Sequence, residues 1–121
     1  TDTGLLIMAK QITTLEDLAG FIDTQFEHLT SLFPDVYSHH EMLAYAALAK
    51  LTEETGELSE AVLSEFQRQR KTKSHKTTSI EKEAADVIVV ALLIAHQFNI
   101  DIPKMLQAKI EYLENRRSTD A

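Results

Sequence analysis

Two acidic segments organise this chain, Glu53-Glu54-Thr55-Gly56-Glu57 and, about thirty residues further on, Glu83-Ala84-Ala85-Asp86. Each segment contains two acids that are three positions apart. On a helix of 3.6 residues per turn, this spacing points both side chains out of the same face. The sequence therefore predicts two helices that each present a pair of carboxylates.

A helical hairpin would bring the two acid pairs together. If the chain turns near Arg70, Glu54 lies opposite Asp86 and Glu57 lies opposite Glu83, because the pairs are placed symmetrically about that turn. Unpaired carboxylates a few ångströms apart raise one another's pKa and resist burial. A bound divalent cation is the simplest remedy. Since the cluster has neither Cys nor His, the expected ion is Mg²⁺, with Mn²⁺ as a substitute, rather than Zn²⁺.

Either acid pair alone would be unremarkable as a signal, because any solvated helix can contain Glu-x-x-Glu. The alternative interpretation of both pairs is two solvated helix faces. The symmetric placement of the pairs favours a site, and so does the apolar run from Val87 to Ala95, beside which Asp86 is expected to be partly buried.

The acidic segments and their neighbours resemble a known family. Residues 50–61, Lys-Leu-Thr-Glu-Glu-Thr-Gly-Glu-Leu-Ser-Glu-Ala, and residues 82–88, Lys-Glu-Ala-Ala-Asp-Val-Ile, look like the motif of the MazG-type all-α nucleoside triphosphate pyrophosphohydrolases. That motif is Glu-Glu-x-x-Glu, a variable gap and Glu-x-x-Asp, and both halves are intact. The resemblance covers roughly residues 14–117. It implies Mg²⁺-dependent attack of water on the α-phosphorus of an NTP or dNTP, which yields the monophosphate and pyrophosphate, as in nucleotide-pool housekeeping.

The resemblance also implies roles for the individual acids. The implied metal ligands are Glu54, Glu57, Glu83 and Asp86. The implied catalytic acids are Glu53, Glu54 and Glu57. Glu53 lies on a neighbouring face, where it would orient water, bind a second ion or pair with Lys50. The resemblance does not say which carboxylate acts as general base.

A triphosphate also needs cationic partners. The resemblance places a substrate-binding lysine at Lys109, and Arg116 follows on the same helix. Family members often have Asn one turn after that lysine, whereas this chain has Leu113, which leaves the phosphate and sugar contacts open. Lys50 and Lys82 each stand four residues before a proposed ligand, a spacing that suits ion pairs as well as substrate contact. The ion pair is the favoured interpretation for both, and Lys50 is also kept as a candidate substrate contact.

Composition limits the classes of protein that fit. With 121 residues the chain is long enough for one domain with a core. A formal charge of −7 argues against general binding to nucleic acid. The absence of cysteine excludes disulfides and thiolate catalysis and fits a reducing compartment, so the expected setting is cytoplasmic. No apolar run reaches the roughly 18 residues of a membrane span.

Hydrophobic periodicity predicts an all-α, four-helix bundle-like fold. The predicted helices cover residues 14–32, about 38–66, about 78–97 and about 101–117. Three of them begin with an expected capping box, Thr13 with Glu16, Ser38 with Glu41 and Thr78 with Glu81. Asn99 suits a helix C-terminus, and residues 68–79 read as a basic loop. The β-branched run from Val87 to Val90 also fits a buried strand, but its length and flanking residues favour helix.

The expected organisation is one domain at residues 13–117, preceded by a segment at 1–12 that is disordered or left over from expression, and followed by a frayed tail at 118–121. The third helix is apolar nearly all round after Asp86 and must be covered on several sides. We therefore expect a homo-oligomer, a dimer or tetramer, that completes the bundle. Gly56 is expected to mark close packing there, because Gly inside a helix is otherwise unfavourable.

Base selection would need aromatic or hydrogen-bonding groups from the first helix or the start of the second. The available residues are Phe21, Phe26, His28, Tyr37, His39, His40 and Tyr45, of which Phe26 is expected in the core. A same-fold enzyme of the phosphoribosyl-ATP pyrophosphohydrolase or dimeric dUTPase type stays open, as does a non-catalytic helical oligomerisation or regulatory module. A ferritin-like di-iron site is excluded, because no Glu has a His three residues later.

Overall fold

The chain folds into helices throughout the part that the computed structural model describes, residues 10–70 and 79–120. In chain order these are α1 (Leu15–Leu32), α2 (Pro34–Tyr37), α3 (His40–Arg70), α4 (Ile80–Gln97) and α5 (Ile102–Asp120). The all-α prediction is confirmed. The four long helices correspond to the predicted ones, and the β-branched run lies inside α4. The single turn α2 was not predicted.

The start of α1 is fixed by a capping box that lies one residue later than predicted. Thr14 is the N-cap, and its Oγ1 accepts a hydrogen bond of 3.0 Å from the backbone N–H of Asp17. Asp17 Oδ2 in turn accepts from the N–H groups of Thr13 and Thr14, at 3.1 and 3.2 Å. The predicted pair was Thr13 with Glu16. Threonine occupies both positions 13 and 14, and an acid occupies both positions 16 and 17, so the capping-box pattern fits in two registers.

Pro34 separates α1 from the rest of the chain as expected, but the second predicted capping box does not form. Pro34 occupies the first turn of α2, where a proline costs no hydrogen bond. The Ser38 hydroxyl donates to the Asp35 carbonyl at 3.2 Å, so it closes α2 instead of capping α3.

The start of α4 differs from the prediction by one residue. The N-cap is Ser79, whose hydroxyl accepts from the Lys82 N–H at 3.3 Å. The predicted cap, Thr78, lies outside the described residues, as do residues 71–78 of the predicted basic loop. The first part of that loop, 68–70, is the end of α3.

The turn between α4 and α5 follows the sequence prediction. Asn99 has a φ of 58°, a left-handed conformation that Asn tolerates better than most residues. The N–H of Ile100 then reaches the Ala95 carbonyl at 3.0 Å, which closes a Schellman motif. Asp101 opens α5 by accepting from the Lys104 N–H at 3.1 Å. At its other end α5 runs to Asp120, past the predicted boundary at 117.

The buried core joins α1, α4 and α5. It consists of Ile22, Leu92, Ala95 and Ile102, with partly buried apolar side chains packed around them. In contrast, α3 contacts α4 and the short α2 among the described elements, and no Cα of α5 lies within 8 Å of a Cα of α3 there. The α3–α4 hairpin that carries the acidic segments is therefore held to the core through α4.

Much apolar surface stays exposed within one chain. On α3 the exposed fractions are 64% for Tyr45, 58% for Leu48, 62% for Leu63 and 57% for Phe66. A Cβ at Gly56 would meet nothing within 4 Å, so the close packing expected there does not occur within one chain. No single helix in the described ranges is long and apolar enough to span a membrane; α4 and α5 pass that test only as a pair bent by 117°.

Replacing Asp17 with Asn is expected to lower the melting temperature near neutral pH but not in strong acid. Hydrogen bonds from the Thr13 backbone and side chain lower the pKa of Asp17 from 3.8 to about 2. A lowered pKa means that the stabilisation is fully present above 3.8 and is lost as the pH falls through about 2. Thermal unfolding of both proteins across this range measures the difference. Glu16→Gln is the matched control, and a difference that stays constant with pH would contradict the interpretation.

Candidate metal centre

The α3–α4 hairpin brings three of the predicted ligands together. One carboxylate oxygen from each of Glu54, Glu57 and Glu83 lies within 4.8 Å of the other two. Glu54 and Glu83 are 8% and 2% exposed, whereas Glu57 is open to solvent. The cluster is therefore buried at Glu54 and Glu83, one residue from each helix, and accessible to solvent at Glu57.

The Glu83 carboxylate is the most unusual group of this cluster. Its Oε1 is buried and has no hydrogen-bond partner among the described residues. The nearest cation to its other oxygen is the Lys82 ammonium, at 3.9 Å from Oε2. A buried carboxylate oxygen without a donor is costly, and a metal ion is one of the few partners that can satisfy it. A set made of carboxylate oxygens suits Mg²⁺ or Mn²⁺.

Asp86, the fourth predicted ligand, is not part of the group within 4.8 Å. Its Oδ2 lies 3.1 Å from the Lys82 ammonium, one helical turn earlier. The hydrogen bond with Asp86 raises the pKa of Lys82, so the lysine is firmly cationic. The ion pair that the i, i+4 spacing predicted thus holds Asp86 at the edge of the cluster.

A second lysine flanks the cluster from α3. The Lys50 ammonium lies 2.9 Å from Oε1 of Glu53 and 3.9 Å from Oε2 of Glu54. The hydrogen bond with Glu53 raises the pKa of Lys50. Glu53 is therefore engaged with Lys50 on an exposed face and does not join the cluster. Each helix contributes one ammonium group beside the buried carboxylates.

The electrostatics of the cluster favour taking up positive charge. Burial raises the pKa of Glu54, a hydrogen bond with Glu57 raises it further, and the Lys50 ammonium offsets part of the effect. A shared proton and a divalent cation are alternative ways to relieve the same repulsion. Ion binding and protonation of the cluster are therefore expected to oppose each other.

The predicted substrate cations on α5 do not reach the cluster within one chain. The Lys109 ammonium lies 5.1 Å from the ring centroid of Tyr112, and Arg116 Nε lies 3.9 Å from Asp120 Oδ2. Both lysine and arginine are exposed. Of the predicted substrate-binding residues, the structure places Lys50 alone beside the buried carboxylates in the described part of the chain.

An apolar cavity of about 350 Å³ adjoins the cluster at Lys50. The lining residues come from four helices and are Phe26, Leu29, Phe33, Val36, Tyr37, Leu43, Ala46, Ala47, Lys50, Val90, Leu93 and Gln97. Its size and its mostly apolar wall with a few polar groups are typical of a small-molecule pocket.

Two of the aromatic residues suggested for base selection line this cavity. The Phe26 ring, expected in the core, packs edge-on against Tyr37 with centroids 5.2 Å apart. The Phe26 ring also packs against the His96 ring, with centroids 4.5 Å apart. Nε2 of His96 lies 2.9 Å from Asp23 Oδ1, and Nδ1 of His96 is buried without a partner among the described residues. The other suggested residues, Phe21, His28, His39, His40 and Tyr45, are not part of the lining.

Sequence analysis missed Gln97, a polar residue of the cavity wall. Gln97 is 8% exposed and lines the cavity together with Val90 and Leu93. It follows these two residues at i+7 and i+4, the positions of one helix face. A polar residue in phase with the buried side of an apolar helix was therefore a signal that the sequence contained.

Comparison with known proteins identifies one family. A family model described as the MazG nucleotide pyrophosphohydrolase domain matches residues 41–119. The match begins at the start of α3 and covers both acidic segments, while α1 and α2 lie outside it. No curated protein and no solved structure gives a significant match.

Glu83→Gln is expected to show how far the buried carboxylate destabilises the fold and whether it binds an ion. Without divalent ions the variant should be more stable than the parent, by about 1 kcal/mol or more, because a neutral amide replaces a buried unpartnered carboxylate. With Mn²⁺ or Mg²⁺ the parent should gain thermal stability and the variant should gain little. Thermal unfolding during an ion titration measures both effects.

The control for this titration is Glu27→Gln, which removes an exposed acid on α1 and should respond to ions as the parent does. Equal ion-dependent stabilisation of Glu83→Gln and the parent would contradict the assignment of Glu83 as a ligand.

Proposed function

The chain belongs to the MazG nucleotide pyrophosphohydrolase family, and from this we propose that it hydrolyses a nucleoside triphosphate, ribo or deoxy, to the monophosphate and pyrophosphate with Mg²⁺, or Mn²⁺ as a substitute. Enzymes of the family depend on a divalent metal and act on nucleoside triphosphates. The observation that carries the proposal is the convergence of Glu54, Glu57 and Glu83 around a buried carboxylate oxygen with no partner in the described structure. Nucleotide-pool housekeeping is the proposed role.

The metal ligands in this proposal are Glu54, Glu57 and Glu83, with Asp86 as a fourth at the edge. When bound, the ion would neutralise charge on the phosphate oxygens and make the phosphorus easier for water to attack. The carboxylates of α3 and α4 would hold that ion. The exposed side at Glu57 leaves room for a substrate.

The two flanking lysines are placed to receive phosphate oxygens. In the structure each ammonium neutralises carboxylates, Lys50 at Glu53 and Lys82 at Asp86. A triphosphate brings several negative charges, so we assign Lys50 to substrate binding. Glu53 then holds Lys50 in position and remains a candidate for orienting the attacking water.

The cavity beside Lys50 is the proposed place for the nucleoside. Lys50 belongs both to the cavity wall and to the ion pairs of the cluster, so a molecule in the cavity has its phosphate end at the carboxylates. Phe26 and Tyr37 offer aromatic surfaces on which a base can pack. Base and phosphates of one nucleotide would thus occupy adjoining parts of one site.

We further propose that residues 13–117 form the catalytic domain and that a second copy of the chain covers the exposed stripe on α3. Leu48, Leu63 and Phe66 are each more than half exposed, and Gly56 on the same helix has open space around it. Isolated apolar residues need no explanation, but a stripe along one helix indicates an interface. The assembly would be a dimer or a tetramer, in which Lys109 and Arg116 would reach the triphosphate of a neighbouring copy.

Glu57→Gln is expected to abolish pyrophosphate release while the fold persists, because Glu57 is a proposed ligand on the exposed side of the cluster. The assay measures pyrophosphate from a panel of standard and modified NTPs and dNTPs, with and without Mg²⁺. The expected loss in kcat/KM is about a hundredfold or more, since a missing ligand weakens charge neutralisation in the transition state.

Glu27→Gln serves again as the control and should retain the activity of the parent. No release of pyrophosphate from any nucleotide by the folded parent would overturn the proposal and favour a non-catalytic helical module.

Leu63→Glu is expected to dissociate the oligomer. A buried unpaired carboxylate at an apolar interface costs several kcal/mol, enough to shift a dimer toward monomers at micromolar concentration. Light scattering coupled to size-exclusion chromatography measures the mass. Leu32→Glu changes an equally exposed leucine at the end of α1 and should leave the mass unchanged. A monomeric parent, or an unchanged oligomer in Leu63→Glu, would contradict the interface.

A further inference from the structure

The cavity beside the cluster has two chemically different ends. Lys50 stands at the end next to the carboxylates. Gln97 stands at the other end, because its side chain reaches back to His40 at the start of α3. Between Leu43 and Lys50, α3 rises by about 10 Å at 1.5 Å per residue. This length is comparable to that of a nucleoside, so a base whose phosphates lie at the cluster extends toward Gln97.

The Gln97 carboxamide is held in one orientation. Its Nε2 donates to the His40 carbonyl oxygen at 2.8 Å and lies 3.2 Å from Nδ1 of the same residue. A carbonyl oxygen can only accept, so the nitrogen and not the oxygen of the amide must face His40. The His40 ring is in turn packed edge-on against Phe98, with centroids 5.0 Å apart. The orientation of the amide is therefore set by groups that do not line the cavity.

This arrangement turns the nitrogen of the Gln97 amide toward His40 and leaves Oε1 as its available acceptor. No donor among the described residues reaches Oε1. The residue as a whole is 8% exposed. The rest of the wall is mainly apolar, with the Tyr37 hydroxyl and Lys50 as its other polar groups. Burial raises the pKa of Tyr37, which keeps it a neutral phenol.

A base that enters this cavity presents the edge farthest from its sugar to Gln97. In adenine and cytosine the group that projects from this edge, N6 or N4, is an amino donor. In guanine, hypoxanthine, uracil and thymine the corresponding group is a carbonyl oxygen, which is an acceptor. An amino group would pair with Oε1, whereas a carbonyl oxygen at the same position would set two acceptors against each other.

From this geometry we infer that Gln97 selects the nucleobase: Oε1 accepts a hydrogen bond from the exocyclic amino group, and nucleotides of amino bases are preferred over those of keto bases. The inference rests on the proposed function and adds the substrate class to it. Gln97 acts on specificity, while the carboxylates act on the phosphates. The expected preference within a matched pair is about tenfold to a hundredfold, the effect of losing one hydrogen bond and setting two acceptors against each other.

The test compares kcat/KM within two isosteric pairs, ATP against ITP and CTP against UTP. In each pair the exocyclic amino group is replaced by a keto oxygen, and the adjacent ring nitrogen, N1 in ITP or N3 in UTP, carries a hydrogen in place of a lone pair. The parent is expected to prefer ATP over ITP and CTP over UTP by at least about tenfold. In Gln97→Met, which keeps the length of the side chain but has no strong acceptor, both ratios should fall to within about threefold of one. Because each ratio is measured on one protein sample, partial loss of folded protein cancels.

Gln107→Met is the matched control, since Gln107 is exposed on α5 and pairs with Glu111 at 3.0 Å. It should keep the ratios of the parent. A parent that uses keto and amino partners equally, or a Gln97→Met variant that keeps the parent's ratios, would overturn the inference and leave the proposed function intact. A parent that releases pyrophosphate from no nucleotide would overturn both.

Discussion

The burial of Glu83 between α3 and α4 is the constraint on which the account of this protein depends. A carboxylate that is 2% exposed and has one unpartnered oxygen in the described structure lowers the free energy of unfolding, so other contacts must offset it. The flanking lysines lie 3.9 Å from Glu83 and Glu54 and relieve only part of it. A bound divalent cation would relieve this destabilisation and add stability by mass action, about 2.7 kcal/mol when the free ion is a hundredfold above its Kd.

The main core and the carboxylate cluster use different residues of α4, Leu92 and Ala95 for the core and Glu83 for the cluster. The core joins α1, α4 and α5 through Ile22, Leu92, Ala95 and Ile102. Helix α3 packs against α4 through other residues. The carboxylates therefore sit on a long two-helix hairpin whose register is fixed by α4. In a single chain, this hairpin leaves one cavity wall and the apolar stripe on α3 uncovered. The ion, the nucleotide and a second copy of the chain would therefore all bind to the hairpin.

Sequence was a good guide where the signal is local. The i, i+3 spacing of Glu54 and Glu57 is enough to place both on one helix face, and Asn99 marks the end of α4 because it tolerates a left-handed backbone. Local signals failed where two registers fit equally, as at Thr14, or where a short turn such as α2 has no periodicity to detect.

Sequence was a weaker guide to which side chains meet. The symmetry of the acid pairs suggested four equivalent carboxylates, but the ion pair with Lys82 holds Asp86 at the edge. The orientation of Gln97 depends on His40, which is distant in the chain and close in space. The contact between α3 and α4 decides the case of Gln97, whereas the Lys82–Asp86 pair lies within α4 and follows from its i, i+4 spacing.

If the hairpin carboxylates bind the catalytic ion, its position can be located in a crystal. Anomalous diffraction from crystals containing Mn²⁺ finds the metal without reference to activity. We expect a peak among Glu54, Glu57 and Glu83, with Oε1 of Glu83 in its coordination shell, and loss of this peak in crystals of Glu83→Gln. A peak bound by other acids, or the same peak in Glu83→Gln, would show that these carboxylates do not form the metal site.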